Sequence, residues 1–272
     1  MLFQTRPLSE NLGVEVLNVD LTKINDGMAD DILITLQEHA LLLFRRQSLH
    51  DEDIYRLSAA LGPVEEPTAA QDNHSPRFKS VIYLGNINSL DGTMIRGNYI
   101  ENTDGPWHSD QAYRQHPATL STLFCVICPE SGGGTSFSST RMGYESLTPT
   151  LQARVNSLQI HYQRINSHGE IIAKASHDAV LTNPVSGAKT LYVAPNAQGF
   201  EGMNEAEAEA RKDELLSHQL RSEHIYQHNW RMGDMLIYDN AQLLHKRDSF
   251  EGYRFLKATR LYASPERFAV PD

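Results

Sequence analysis

Three places in the sequence set a histidine two residues before an acid: His50 and Glu52, His108 and Asp110, His168 and Glu170. On an extended strand, residues i and i+2 share a face, so such a pair can offer an imidazole and a carboxylate to one cation. Two histidines and one carboxylate leave open positions on a redox-active metal, which is what O2 activation beside a chelating cosubstrate requires. Spacing alone does not choose among the three pairs, and context must. His50 and Glu52 open the acidic run DEDIYRLSAALG, where the helix dipole accounts for the carboxylates. The third pair, HGE, reads as a turn centred on Gly169. GPWHSDQAY alone adjoins a polar loop and leads into a strand-rich half of the chain. A surface histidine and aspartate at a strand end is the competing reading. His245, after the buried run DMLIYDNAQLL and its polar Asp239-Asn240 turn, is one of several candidates for a third ligand.

A dicarboxylic cosubstrate needs a cation, best a bidentate guanidinium, and often a neighbouring hydroxyl. In YRFLKATRLYA, Arg254, Leu256, Ala258 and Arg260 fall on one strand face, and either arginine suits that task. Thr135, after Gly132, Gly133 and Gly134, offers the hydroxyl; no P-loop lysine follows these glycines, so they are no phosphate cradle. Cys125 and Cys128 have the CxxC spacing of zinc and redox sites. They lie in the β-rich run TLFCVIC, which predicts thiols on opposite faces of a strand and no bound metal.

The elements that must position these groups follow from periodicity. LGVEVLNVDL reads as a strand, MADDILITLQEHA as a helix, LLLF as a short buried strand, and DEDIYRLSAAL as a second helix stopped by Gly62. Residues 63–105 are rich in Asn, Asp, Ser, Gly and Pro around one strand, SVIYLGNI, and suggest a lid or pocket lining. Strands are expected in TLSTLFCVIC, SFSS, LQIHYQR, TLYVA, YQHNW, DMLIYDN and RFLKATRLYA, with one helix around 143–155 and another starting after Asn204. Helices first, then strands interrupted by helical insertions, predict an α+β protein around an antiparallel sandwich or barrel.

The 272 residues read as one domain, 1–272, with hydrophobic residues at 40% and charged ones at 21%. A formal charge of -10 and a pI near 5.6 argue against nucleic acid and favour a small-molecule partner. No apolar run is long enough to span a membrane and MLFQTRPLSE lacks a signal-peptide core, so a cytoplasmic location away from membranes is expected. A homo-oligomer is compatible with all of this.

In order along the chain, ALLLFRRQSLHDEDIYRLSAALGPV, WHSD, PESGGGTSF, MGDMLIYDNAQLLH and RFLKATR resemble the TauD/TfdA family of Fe(II)/2-oxoglutarate-dependent dioxygenases, from about Leu12 to Tyr262. The resemblance implies a double-stranded β-helix, or jelly roll, flanked by helices. It implies that His108, Asp110 and His245 hold Fe(II), and that Thr135 and Arg254 hold 2-oxoglutarate, which O2 converts to succinate and CO2 as a small polar or amino-acid-like metabolite is oxidised. Many members carry a second, substrate-facing arginine four positions after the first, where this chain has Ala258. Arg260 is the alternative for that role, or for the cosubstrate anchor itself. Asp110 argues against a halogenase, whose relatives replace the acidic ligand. Gln111 and Tyr113 after the motif, with His74 and Tyr99 in the polar region, are the candidate substrate contacts. A zinc or manganese hydrolase or isomerase, and a non-catalytic binding protein on the same barrel, are the alternative functions, since these ligand types serve several metals and a fold does not fix a function.

Overall fold

The computed structural model describes residues 3–66, 73–87 and 103–271. Much of the expected lid, including Tyr99, lies outside these residues. The main sheet has seven strands, in the order Thr5–Pro7, Val14–Val16, Leu41–Phe44, Met235–Asp239, Leu120–Ile127, Phe255–Leu261 and Ile82–Gly85. All its pairings are antiparallel except that of Val14–Val16 with Leu41–Phe44. A three-stranded antiparallel sheet, Ile225–His228, Thr135–Ser139 and Leu243–Arg247, lies across from it.

Period-two alternation explains why apolar runs such as LLLF and MLIYD sit at the centre. Leu41, Leu43, Leu236, Tyr238, Leu123 and Ala258 point inward and meet Phe137 and Leu243 of the smaller sheet. Leu42, Phe44, Met235, Ile237, Leu120 and Phe124 point the other way, against Ile32 and Leu36 of one helix and Ile54 and Leu57 of the next. Those helices span Asp26–His39 and Asp51–Leu61. Asn25 caps the first by accepting from Met28 N–H, and Asp53 of the second accepts from the His50 N–H, so the acidic turn serves the helix. A third cluster joins the insertion of 140–220 to the barrel through Ala241 and Leu244.

The helix expected around 143–155 is two short ones, Thr140–Glu145 and Pro149–Val155, because Pro149 has no N–H to continue the first and Thr148 caps the second. The strand Ile171–Asp178 was not expected, since it exposes Ile171 and Ile172 and alternates poorly. Cys125 and Cys128 depart from expectation too. The strand stops at Ile127 and its register with the final strand slips, pairing Cys125 with Leu256 and Ile127 with Phe255. That irregularity between the two cysteines breaks the alternation of faces, and the two sulfurs end 3.2 Å apart as free thiols. Among the described residues no helix is long and apolar enough to cross a membrane.

Candidate metal centre

His108 and Asp110 do not form the same-face strand pair that the spacing suggests. His108 is an isolated bridge residue and Asp110 lies in the turn that follows. The bridge partner is His245 on the strand Leu243–Arg247, and each histidine donates its N–H to the other's carbonyl, at 3.0 and 2.9 Å. Reciprocal backbone bonds therefore bring the two imidazoles together, with ring centroids 4.2 Å apart. Potential ligand atoms of His108, Asp110 and His245 all lie within 4.8 Å of one another, the one such set among the described residues. His50 caps a helix and His168 sits exposed beside Gly169, so neither joins a cluster.

The turn after Tyr238 ties the two segments together. Asp239 accepts from Ala241 N–H and Gln242 Nε2, both at 2.8 Å, and shapes the reversal. Asn240 receives Ser109 Oγ on its carbonyl and donates from Nδ2 to the Ala118 carbonyl and Ser121 Oγ. The polar turn thus braces the His-Ser-Asp segment against the strand that carries His245.

His108 Nδ1 lies 2.9 Å from the Pro106 carbonyl, which can only accept, so Nδ1 carries a proton and Nε2 is the nitrogen that would face a cation. Burial opposes the charge on Asp110, but Arg260, the two imidazoles and the Ser121 hydroxyl hold its carboxyl well below the ordinary range. Burial first, then His108, pushes His245 down to about 3, so its ring is neutral at pH 7. His245 Nδ1 is buried with no hydrogen-bond partner, an orphaned polar atom within the cluster. A set of two imidazole nitrogens and one carboxylate oxygen fits a divalent first-row metal such as Fe(II).

The cluster opens on a cavity between the sheets. Leu84, Leu123, Leu256 and Ala258 wall it, and Thr135, Arg247, Arg254 and Arg260 line it together with the three candidate ligands. Arg254, Leu256, Ala258 and Arg260 share this face. Arg254 is 3% exposed, donates from Nε to the Gly133 carbonyl at 3.1 Å and lies 5.9 Å from the Phe250 ring. Thr135 is buried and its Oγ1 accepts from Trp230 Nε1 at 3.1 Å. Arg260 lies at the other end, its Nη2 3.2 Å from Asp110 Oδ1.

Three of the expected substrate contacts are not gathered here, and Tyr99 lies outside the described residues. Gln111 is buried behind Asp110, donating to Glu65 Oε1 at 2.6 Å, and Tyr113 OH accepts from Arg164 at 2.9 Å. His74 pairs with Ile82 at the edge of the main sheet, its Nδ1 on the Ser75 carbonyl. None of the three lines the cavity. Tyr238, Ser121, Trp230 and Glu65 were missed. Tyr238 and Ser121 were recoverable from period two, since they share the inward face with Leu236 and Leu123.

A sequence model described as "Taurine catabolism dioxygenase TauD, TfdA family" matches residues 4–262. An alpha-ketoglutarate-dependent 2,4-dichlorophenoxyacetate dioxygenase of Cupriavidus pinatubonensis is 28% identical over 261 residues, 88% of this chain and 90% of that protein. An (S)-phenoxypropionate/alpha-ketoglutarate-dioxygenase of Sphingobium herbicidovorans is 28% identical over 90% of this chain and 88% of its own. Among solved structures, a taurine dioxygenase from Burkholderia xenovorans superposes with a TM-score of 0.84 at 25% identity, covering 99% of this chain and 94% of that one. AAD-2 in complex with Mn(II) and N-oxalylglycine, at 21% identity and a TM-score of 0.85, covers 97% of this chain and 99% of its own and shares the fold. The double-stranded β-helix with flanking helices is therefore this chain's fold, and the chain belongs to the TauD/TfdA family of Fe(II)- and 2-oxoglutarate-dependent dioxygenases.

Proposed function

We propose that His108, Asp110 and His245 hold the Fe(II), that Arg254 and Thr135 bind the distal carboxylate of 2-oxoglutarate, and that the enzyme oxidises a C–H bond of a small polar or amino-acid-like metabolite. The observation that carries this reading is the one cluster of ligand-competent side chains among the described residues, opening on a cavity with a buried guanidinium and hydroxyl at its other end. Bound Fe(II) would supply O2 activation coupled to decarboxylation of 2-oxoglutarate to succinate.

The protein's own residues do the rest. The Trp230 N–H occupies a lone pair of Thr135 Oγ1, which leaves the hydroxyl proton to be donated to a carboxylate. Arg254 supplies the charge and its Nε bond to Gly133 fixes the plane of the fork. Leu84, Leu123, Leu256 and Ala258 keep the space between carboxylate site and metal site apolar, which strengthens both interactions and excludes water. Ala258 offers no cation where many family members place a second arginine. Relatives are named for 2,4-dichlorophenoxyacetate, (S)-phenoxypropionate and sulfate esters, all anionic. The missing cation speaks against holding such an anion in the family's usual way. A cytoplasmic, single-domain enzyme acting on a metabolite completes the proposal.

Succinate formation with Fe(II) and 2-oxoglutarate tests it, across a panel of amino acids, small polar metabolites, aryloxyalkanoates and taurine, with mass spectrometry for gained oxygen or lost hydrogen. Substrate-stimulated succinate that disappears in His245→Ala is expected. Unchanged turnover in that variant would overturn the ligand assignment. Stimulation by the aryloxyalkanoates alone would overturn the substrate class.

A further inference from the structure

The final strand brings a second arginine to the cavity, and its surroundings differ from those of Arg254. Arg260 Nη2 is 3.2 Å from Asp110 Oδ1, and its Nη1 is 3.8 Å from Glu65 Oε2. Glu65 is 7% exposed and receives Arg114 Nη1 and Gln111 Nε2 on Oε1, both at 2.6 Å. Backbone register sets this meeting: Glu65 N–H donates to the Arg260 carbonyl at 2.8 Å, and Val64 bridges to Leu261. Two guanidinium groups and two carboxylates thus alternate, Arg114, Glu65, Arg260, Asp110, with their charges balanced.

Asp110 is gripped at both oxygens. Oδ2 accepts from Ser121 Oγ at 2.7 Å and more weakly from Tyr238 OH at 3.5 Å, while Oδ1 faces Arg260. A carboxylate has about four lone-pair directions, so these contacts fix its plane and still leave one for a cation. Gln111, the next residue, takes a left-handed φ of 59°, a conformation costly for a side chain with a Cβ. Its amide, bonded to Glu65 and to Ala118 N–H, holds it there. The turn that aims Asp110 is thereby clamped to the same carboxylate that faces Arg260 as an ion pair at 3.8 Å.

We propose that Arg260 is a positioning residue for the Asp110 carboxylate, with Glu65 as its counter-charge, rather than an anchor for 2-oxoglutarate or for an anionic substrate. The proposal rests on the reading of His108, Asp110 and His245 as the metal site. A guanidinium already matched by two buried carboxylates has little attraction left for a third. An uncompensated guanidinium this near would repel a divalent cation, and Glu65 removes that penalty. Partners of metal-binding carboxylates and imidazoles commonly change metal affinity by about 10–100-fold when removed.

The test is binding of Mn(II) alone, followed by electron paramagnetic resonance, then calorimetric titration of 2-oxoglutarate into the Mn(II)-saturated protein. Arg260→Met is expected to weaken Mn(II) about tenfold or more, with 2-oxoglutarate affinity within about threefold once metal is saturating. Arg260→Lys, which keeps the charge but cannot span both carboxylates, should recover part of the Mn(II) affinity; a merely space-filling role predicts no recovery. Glu65→Gln should also weaken Mn(II), and should add nothing in the Arg260→Met background. If Arg260→Met does not fold, Glu65→Gln alone decides, since unchanged Mn(II) binding there overturns the proposal. Stronger Mn(II) binding in Arg260→Met would show that charge repulsion outweighs positioning, and a large 2-oxoglutarate defect would make Arg260 the anchor; either result overturns it. A wild-type protein that takes up no Mn(II) overturns the metal assignment itself, whereas wild-type uptake with an unaffected Arg260→Met overturns this inference only.

Discussion

Replacing Arg254 by methionine removes a guanidinium that is 3% exposed while keeping the length of its stem. Taking one partner from a buried charge pair costs about 3–5 kcal/mol, mostly because the other charge is left unpaired. At about 1.36 kcal/mol per factor of ten, that is between roughly 100-fold and several thousandfold in 2-oxoglutarate affinity. Thr135 remains as a second donor to the carboxylate, so the lower end applies and we expect about a 100-fold weaker Kd. The substitution also removes the 3.1 Å bond to the Gly133 carbonyl and the contact with Phe250, at a stability cost of about 1–2 kcal/mol. Titrating 2-oxoglutarate into Mn(II)-loaded protein well below the variant's Tm separates binding from stability. Arg254→Lys should fall between the two, since it restores charge without the fork. A Kd for Arg254→Met within about threefold of wild type would refute the assignment of the carboxylate to Arg254.

Three further outcomes follow from particular contacts. Burial above all raises Asp239 to about 6 against an ordinary 3.8, so between those values the folded state holds more protons than the unfolded one. Stability from this group is therefore lost as pH rises from about 4 to 6, by about 3 kcal/mol in total; Asp239→Asn should erase that share of the slope in urea unfolding measured at pH 4.5 and 7. Trp230→Phe removes the N–H on Thr135 Oγ1 and should raise the KM for 2-oxoglutarate about fivefold, with Mn(II) affinity unchanged; a metal defect instead would place Trp230 elsewhere in the mechanism. Burial, then the contact with Cys128, pushes the Cys125 thiol up, so iodoacetamide at pH 8 should label half-buried Cys128 first, and mass spectrometry showing Cys125 first would contradict this.

What was legible in the sequence was whatever has a short period or a fixed donor chemistry. LLLF, MLIYD and the two N-terminal helices announced themselves because each buries a face at regular spacing. The break at Pro149 was also written in the chain, with Thr148 as its cap, but a run of mixed polarity hid it. His108, Asp110 and His245 were legible as donor types and in their family order, whereas the geometry inferred for them was not. No strand carries the first two; a reciprocal backbone bridge between His108 and His245 does that work, and spacing cannot report a bridge between distant segments. The thiol pair failed for a related reason, because a strand ending at Ile127 voids the alternation rule one residue before Cys128.

The two arginines of the final strand show where such reading stops. Arg254 and Arg260 are equivalent by period, both facing the cavity, and only the family resemblance of RFLK favours the first as the cosubstrate arginine. What separates them is the opposite wall. Near Arg254 stand the Gly133 carbonyl, which accepts from its Nε, and the Thr135 hydroxyl of the following strand, which lines the same cavity. Across from Arg260 stand Asp110 and Glu65, brought in by a bridge from Val64 to Leu261 that no pattern within residues 63–66 foretells. In the roles proposed above, one guanidinium would take an incoming carboxylate and the other would brace a carboxylate already present, a difference that tertiary register sets for one residue type on one strand face.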